Sequence, residues 1–82
     1  MGERANVDVR KQFGARLVAV RKQRGFSQEM LSLESGVARS YLSGVERGLR
    51  NIAVVNICRL AVSLGVKPYV LLDFDGDFEI EA

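Results

Sequence analysis

The sequence contains no histidine and no tryptophan, and it has a single cysteine, Cys58, and a single proline, Pro68. The lack of histidine excludes serine–histidine catalytic triads and zinc sites built from histidine and cysteine. One cysteine cannot form a disulfide within the chain, and we expect Cys58 to pack in the core. No set of titratable residues remains that could perform acid–base or nucleophilic chemistry, so we expect neither an enzyme nor a cofactor.

Long apolar segments are also absent. The longest uninterrupted apolar runs have four residues, whereas roughly 20 are needed to cross a bilayer. The first residues become polar where a signal peptide requires an apolar stretch. With a lone thiol, these features predict a cytoplasmic protein with no membrane partner.

The 82 residues allow one domain, and 48% hydrophobic with 27% charged residues is typical of a folded globular chain. The net charge of +2 conceals an asymmetry. Residues 1–72 hold all 12 lysines and arginines and half of the 10 acids, and the last ten residues hold the other acids and no base. A basic body is consistent with a polyanionic partner, although two solvated surfaces of opposite sign would give the same pattern.

Glycines divide the chain into segments with helical spacing of apolar residues. In the first segment Val9, Phe13, Leu17 and Val20 fall on one face. Ser27 is placed to cap the second helix, and Pro68 fits the first turn of the last one. The expected helices cover residues 8–24, 28–36, 39–47, 53–64 and 68–72, which predicts a compact all-α domain.

The second and third segments have the outline of a helix-turn-helix at about residues 28–47. Leu31, Val37, Leu42 and Val45 are placed where two crossed helices touch, and Ser32 is small enough for a close approach. The outer face of the third helix is free of acids and suits a major groove; it consists of Arg39, Ser40, Ser43, Gly44 and Arg47. A plain helical hairpin is the alternative.

Gly44 is unusual in this helix because glycine inside a helix costs about 0.5–1 kcal/mol relative to alanine. The close approach of another surface would explain its presence. In the fourth helix we expect Val54, Ile57, Cys58, Ala61 and Leu64 to form the apolar face.

Residues 10–72 resemble the lambda-repressor-like (Cro/C1, or XRE-type) DNA-binding domain, which implies a compact fold of five helices. The matching stretches are Phe13-Gly-Ala-Arg-Leu, Arg21-Lys-Gln-Arg-Gly-Phe-Ser-Gln-Glu, Ser35-Gly-Val, Ser40-Tyr-Leu-Ser-Gly-Val-Glu-Arg-Gly, Arg50-Asn and Ala61-Val-Ser-Leu-Gly-Val. Within the family, the segment from Arg39 to Ile52 is most similar to the controller proteins of restriction–modification systems, which are small homodimeric transcription regulators. The chain departs from the family at Ala38 and Ala53, where a capping serine or threonine is common, and at Ser35, where an apolar residue is usual.

The resemblance implies a role for each matching residue. Gln28 would bind a phosphate, and Arg39 would reach base edges, with guanine O6 and N7 the best acceptors. Ser40 and Gly44 would lie against the groove floor. The remaining implied contacts are with the DNA backbone or a narrowed minor groove, from Tyr41, Ser43, Arg47, Arg50 and Asn51. Glu46 would be structural and pair with Arg21.

One recognition helix reads too few base pairs to find a single site, so we expect a homodimer on a two-fold-symmetric operator. The candidate interface is the apolar set that exceeds the needs of one small core, namely Ile52, Val55, Tyr69, Val70 and Phe74. The alternative is that these residues all belong to the core of one chain.

We divide the chain into an N-terminal extension (1–7), the DNA-binding domain (8–72) and an acidic tail (73–82). The tail alternates acidic and apolar residues. We interpret it as frayed or packed in the dimer; the alternative is a contact with RNA polymerase or another protein. Its aspartates resemble the start of a calcium loop, but the glutamate that such a loop needs is missing, so we expect no metal.

The sequence therefore predicts a dimeric, sequence-specific, double-stranded DNA-binding transcription regulator. The alternative is an antitoxin with the same domain, which binds a partner toxin and autoregulates its operon. A protein-interaction module that had lost DNA binding would be expected to carry acids on the outer face of the third helix, and none is present there.

Overall fold

A computed structural model describes residues 8–74, which form five α-helices and no strand. The helices are α1 (Val9–Gln23), α2 (Gln28–Ser35), α3 (Arg39–Glu46), α4 (Val54–Leu64) and α5 (Pro68–Leu71). The predicted all-α fold of five helices is confirmed, with each end within two residues of its expected position. The predictions for the extension at 1–7 and for the tail at 75–82 lie outside the described residues.

The helix ends follow from local chemistry. Asp8 caps α1, because its Oδ1 accepts a hydrogen bond from the Arg10 amide at 3.1 Å. A side-chain hydrogen bond from Arg10 also lowers the pKa of Asp8 below its ordinary value. Ser27 Oγ accepts from the Met30 amide at 3.0 Å at the start of α2. Ala38 and Ala53 provide no side-chain cap for α3 and α4, as the sequence predicts.

The core lies where all five helices meet. Helix α1 packs on α3 and α5, α2 packs on α3 and α4, and α4 packs on α5. The core consists of residues from every helix and from the turn before α3: Phe13, Leu17, Val20, Leu31, Val37, Leu42, Val45, Leu60, Ala61, Leu64 and Leu71. The predicted core positions of α1, α2 and α3 are thus confirmed, except that Val9 is only half-buried.

The expected apolar face of α4 needs correction. Leu60, which is not part of the expected apolar face, is fully buried, whereas Val54, which is part of it, is 74% exposed. Cys58 is half-buried rather than in the core. The reason is that α4 is apolar on two opposite sides, so that the periodicity of its sequence cannot select the side that packs inward.

The residues expected at a dimer interface fall into two groups. Val55 and Tyr69 are 62% and 71% exposed. Ile52, Val70 and Phe74 instead pack against the core of their own chain. All three are only partly buried, so their place in a dimer interface stays a prediction.

Gly14 allows α1 and α3 to cross at close range. It is buried, and a Cβ atom added there would lie 2.5 Å from the Val45 carbonyl oxygen and 2.6 Å from the Glu46 carbonyl oxygen. Both neighbours are backbone atoms at the end of α3, so they cannot move without shifting that helix. The spacing between α1 and α3 therefore depends on a residue without a side chain at this point.

Gly14→Ala should destabilise the fold by about 1–3 kcal/mol, since it overpacks a rigid contact. The expected change in stability is opposite in sign to the usual effect of this substitution, because alanine normally stabilises a helix relative to glycine by about 0.5–1 kcal/mol. Urea unfolding measures the difference. Ala15→Gly, at an exposed position of the same helix, is the control and should lose only the propensity difference. An unchanged or higher stability of Gly14→Ala would contradict the tight crossing.

Candidate nucleic-acid interface

Helices α2 and α3 form the predicted helix-turn-helix, joined by residues 36–38. Gly36 ends α2 in the left-handed conformation, with φ of 78°, which glycine adopts at little cost. Ser32 Oγ donates to the Val37 carbonyl at 2.6 Å, and the Val37 amide donates to Ser35 Oγ at 3.1 Å. The polar side chain of Ser35 thus satisfies a backbone group of the turn.

A charged network holds the end of α3 against α1 and α2. Arg21 binds Glu46 through two hydrogen bonds, from Nε to Oε2 at 2.6 Å and from Nη2 to Oε1 at 3.0 Å. Arg21 Nη1 also donates to the Phe26 carbonyl at 2.9 Å. The exposed fractions of the two side chains are only 11% and 4%. The predicted pairing of Glu46 with Arg21 is confirmed.

Gln28 belongs to the same network. Its Nε2 donates to Glu46 Oε1 at 2.7 Å, and the side chain is half-buried at the first position of α2. An amide nitrogen has two N–H groups, so one remains for an anion beside the start of the helix. Gln28 therefore connects α2 to α3 in the free chain, a role that the sequence did not indicate.

The expected DNA-contacting residues of α3 lie on one surface. Arg39, Ser40 and Arg47 are exposed, and Ser43 is half-buried. Gln28, Arg39, Ser40 and Ser43 line a surface hollow of about 350 Å³. Donors from both helices of the motif therefore surround one space, which a phosphate or the edge of a base could enter.

Gly44 does not lie open on this surface. It is buried, and an added Cβ would be 2.8 Å from Cγ of Arg50 and 3.4 Å from its Nε. In the free chain Arg50 covers Gly44, and the place of Gly44 against the groove floor stays a prediction for the complex. The close approach predicted at Gly44 exists, but the approaching group is the Arg50 side chain of the same molecule.

Tyr41 fixes the segment that carries Arg50. Its hydroxyl donates to the Asn51 carbonyl at 2.6 Å. With the contact to Gly44, this bond holds Arg50 against α3, and both Arg50 and Asn51 are exposed. Sequence reasoning placed Tyr41 near the DNA backbone but missed this support of the loop after α3.

Several arginines form hydrogen bonds to other parts of the fold. Arg16 Nε donates to the Val70 carbonyl at 2.7 Å, and Arg24 Nε donates to the Leu64 carbonyl at 2.9 Å. Together with Arg21, they satisfy carbonyl or carboxylate groups between helices. Arg39, Arg47 and Arg50 are exposed in and after α3, and the exposed Lys11 lies beside Gly48 just beyond the end of that helix.

The described residues contain neither a membrane-spanning helix nor a candidate metal site. Between residues 8 and 74, no helix is both long and apolar enough to cross a membrane. The same residues include no group of three or more cysteine or acidic side chains placed to hold a metal ion.

Glu46→Gln should lower the free energy of unfolding by about 3 kcal/mol, because it leaves the largely buried Arg21 cation without its counter-charge. Glu29→Gln, at an exposed carboxylate in the first turn of α2, is the control and should lose at most about 1 kcal/mol. Urea unfolding compares the two variants. Equal midpoints would show that the ion pair does not hold the motif together.

Comparison with known proteins agrees with this geometry. The sequence model of the helix-turn-helix family matches residues 17–71. The control protein C.BamHI of Bacillus amyloliquefaciens is 40% identical over 68 residues, which are 82% of this chain and 84% of that protein. The crystal structure of the restriction–modification controller protein C.AhdI from Aeromonas hydrophila has a TM-score of 0.74 and 48% identity, and the match covers 76% of this chain and 94% of that one.

A third relative has been solved with its ligand. The biofilm master regulator SinR, in complex with DNA, has a TM-score of 0.71 and 37% identity over 74% of this chain and 98% of that chain. The family model spans well over half of the present sequence, and the relatives are covered over most of their length. This chain is a member of the helix-turn-helix family of the Cro/C1 type.

Proposed function

We propose that the protein is a sequence-specific transcription regulator that binds double-stranded DNA as a homodimer, and that it acts as a restriction–modification controller protein. The observation that carries the proposal is the surface of α3, where exposed Arg39 and Arg47 flank small polar residues beside the start of α2. The similarity to the DNA-bound regulator and to two controller proteins supports it.

In the proposed complex α3 lies in the major groove. Arg39, at the first turn of α3, donates to the O6 and N7 acceptors of a guanine, while Ser40 and Ser43 lie against the bases or the adjacent backbone. The remaining N–H of Gln28 and the amides at the start of α2 bind a phosphate. In this proposal the Arg39 contact recognises the base sequence, and the phosphate contacts fix the position of the protein on the DNA.

Arg50 and Asn51 form the second proposed anchor. Tyr41 and Gly44 hold this segment next to α3, so the Arg50 guanidinium and Arg47 meet the DNA backbone or a narrowed minor groove at the edge of the recognition helix. Because Arg50 is already placed in the free chain, little side-chain entropy is lost on binding. Gly44 contributes by leaving room for Arg50.

The proposed dimer uses the face of α4 opposite the core. Val54, Val55 and Val62 are 74%, 62% and 78% exposed on this face, and with Cys58 they line a hollow of about 490 Å³. A contiguous apolar patch of this kind on a small domain is typical of a protein interface. Val55 and the exposed Tyr69 belong to the proposed interface, and so do the partly buried Ile52, Val70 and Phe74, which also pack against the core of each chain.

Selection of bound sequences from random duplexes tests the function as a whole. We expect enrichment of a two-fold-symmetric site, bound far more tightly than random DNA and with a steep dependence on salt. Absence of enrichment, with only weak and salt-sensitive binding, would contradict a sequence-specific regulator and would leave DNA as an incidental polyanion.

Arg39→Ala should weaken binding to the selected site by about 1–3 kcal/mol and binding to random duplex much less, because it removes a base contact. Fluorescence anisotropy with both duplexes measures the two losses. Lys67→Ala is the charge-matched control, since Lys67 precedes α5, which packs on α4 and α1 rather than beside the recognition helix. An equal loss on both duplexes would assign Arg39 to phosphate binding only.

Val62→Glu should raise the dissociation constant of the dimer by about tenfold or more. The reason is that each of the two protomers would place an unpaired carboxylate in the apolar interface. Sedimentation velocity over a range of concentrations measures this change, and circular dichroism checks the fold. Ala19→Glu, at an exposed position of α1, is the control. A Val62→Glu variant as dimeric as this control would exclude the α4 face as the interface.

A further inference from the structure

The face of α4 that forms the proposed dimer interface carries one positive and one negative charge. Its hollow of about 490 Å³ is lined by α4 and by the end of α2. The lining residues are apolar or small apart from Arg59 of α4 and Glu34 of α2. The two opposite charges cancel, so this face is neutral although the body of the chain is basic.

Arg59 lies among the exposed valines of α4. It follows Val55 by four residues and precedes Val62 by three, a spacing that places the three side chains next to one another on one side of a helix. Arg59 is itself exposed. A surface that covers Val55 and Val62 therefore also meets the Arg59 side chain.

Glu34 borders the same hollow from the neighbouring helix. It is exposed and lies one residue before the end of α2 (Gln28–Ser35), which packs on α4. Within residues 8–74, neither Glu34 nor Arg59 forms an ion pair, with each other or with any other side chain. Both charges are thus available to a molecule that covers the hollow.

The chemistry of these two charges selects the molecule that covers this face. Covering a charge without giving it a partner is strongly unfavourable, because the charge loses its water. An acidic ligand would match Arg59 and leave Glu34 unmatched, and a basic ligand would do the reverse. A second copy of the chain supplies both signs, and in a two-fold-symmetric interface each contact between them occurs twice.

We propose that Arg59 of each protomer pairs with Glu34 of the partner subunit when two α4 faces meet. This inference rests on the proposed function, in which the α4 face joins the two copies, and it adds the polar contact that aligns them. The exposed valines give attraction without direction, since the hydrophobic effect depends on the area that is buried. A pair of opposite charges fixes the register of the interface and disfavours other partners.

The pair connects the dimer interface to the DNA-binding motif. Glu34 belongs to α2, the helix that presents Gln28 to a phosphate in the proposed complex. Arg59 of one protomer therefore holds the helix-turn-helix of the other one, in addition to the contacts within each chain. The distance between the two recognition helices, which the spacing of the DNA half-sites must match, depends on this contact.

Mixing two variants of reversed charge tests the pair. Glu34→Arg alone should dimerise poorly, because it meets Arg59 of the partner subunit with a like charge, and Arg59→Glu alone should fail for the same reason. In a dimer of one variant with the other, both contacts again join opposite charges. We expect this mixed dimer to have a dissociation constant about tenfold or more below that of either variant alone, as measured for close charge pairs across interfaces. Native mass spectrometry resolves the three dimers by mass.

The control mixture combines Glu29→Arg with Lys22→Glu. These variants make the same changes of charge at exposed positions that do not line the hollow. The mixed dimer should form close to its statistical proportion, because exposed charges more than about 10 Å apart are largely screened at about 0.1 M salt. Circular dichroism checks that all four variants keep the fold.

Enrichment of the mixed dimer beyond this control supports the pair between protomers. A statistical proportion in both mixtures overturns it. That result is also expected if Arg59 pairs with Glu34 of its own chain, because each variant then breaks its internal pair whatever its partner is.

The oligomeric state of the parent chain separates this proposal from the proposed dimer. If the parent stays monomeric in sedimentation velocity, the dimer and the pair both fail. If the parent is dimeric and the variants mix statistically, the proposed dimer stands and the pair alone is wrong.

Discussion

The buried ion pair between Arg21 and Glu46 is the interaction on which the rest of the site depends. It joins the end of α1 to the end of α3, and through Gln28 and the Phe26 carbonyl it also holds the start of α2. A buried pair of this kind is stable only if its remaining donors and acceptors are satisfied; among the described residues no buried side-chain polar atom lacks a partner. The angle between the two helices of the motif is thus set by charge as well as by the apolar core.

The arginines divide into those that hydrogen-bond between helices and those that stay without such a bond around α3. Arg16, Arg21 and Arg24 bind carbonyl or carboxylate groups at the joints between helices. Arg39, Arg47 and Arg50 are exposed around α3. Their positive charges can therefore bind an anion at this surface. Charge counting alone cannot make this separation, because all six residues contribute equally to the sum.

Small residues determine how closely these surfaces approach. Gly14 lets α1 cross the backbone at the end of α3, and Gly44 leaves room for the Arg50 side chain on α3. Both glycines occupy helices, where glycine lowers helix propensity. Their cost is offset by contacts that a side chain would prevent, which places Arg50 beside the recognition helix before any ligand binds.

Much of the fold was predictable from the sequence because it depends on local chemistry. The glycine stops, the Ser27 cap and the periodicity of α1 and α3 predicted five helices, and the motif residues predicted the family and the pairing of Glu46 with Arg21. Which side of α4 faces inward was not predictable, since Leu60 lies on one apolar side and Val62 on the other.

Only the tertiary structure packed Ile52, Val70 and Phe74 against the core of their own chain, connected Gln28 to Glu46, and placed Arg50 on Gly44. The physical reason is the same in each case. Capping and periodicity act within a few residues along the chain, whereas these contacts join residues brought together by packing, and nothing in the local sequence states which of several apolar or polar surfaces a segment will meet.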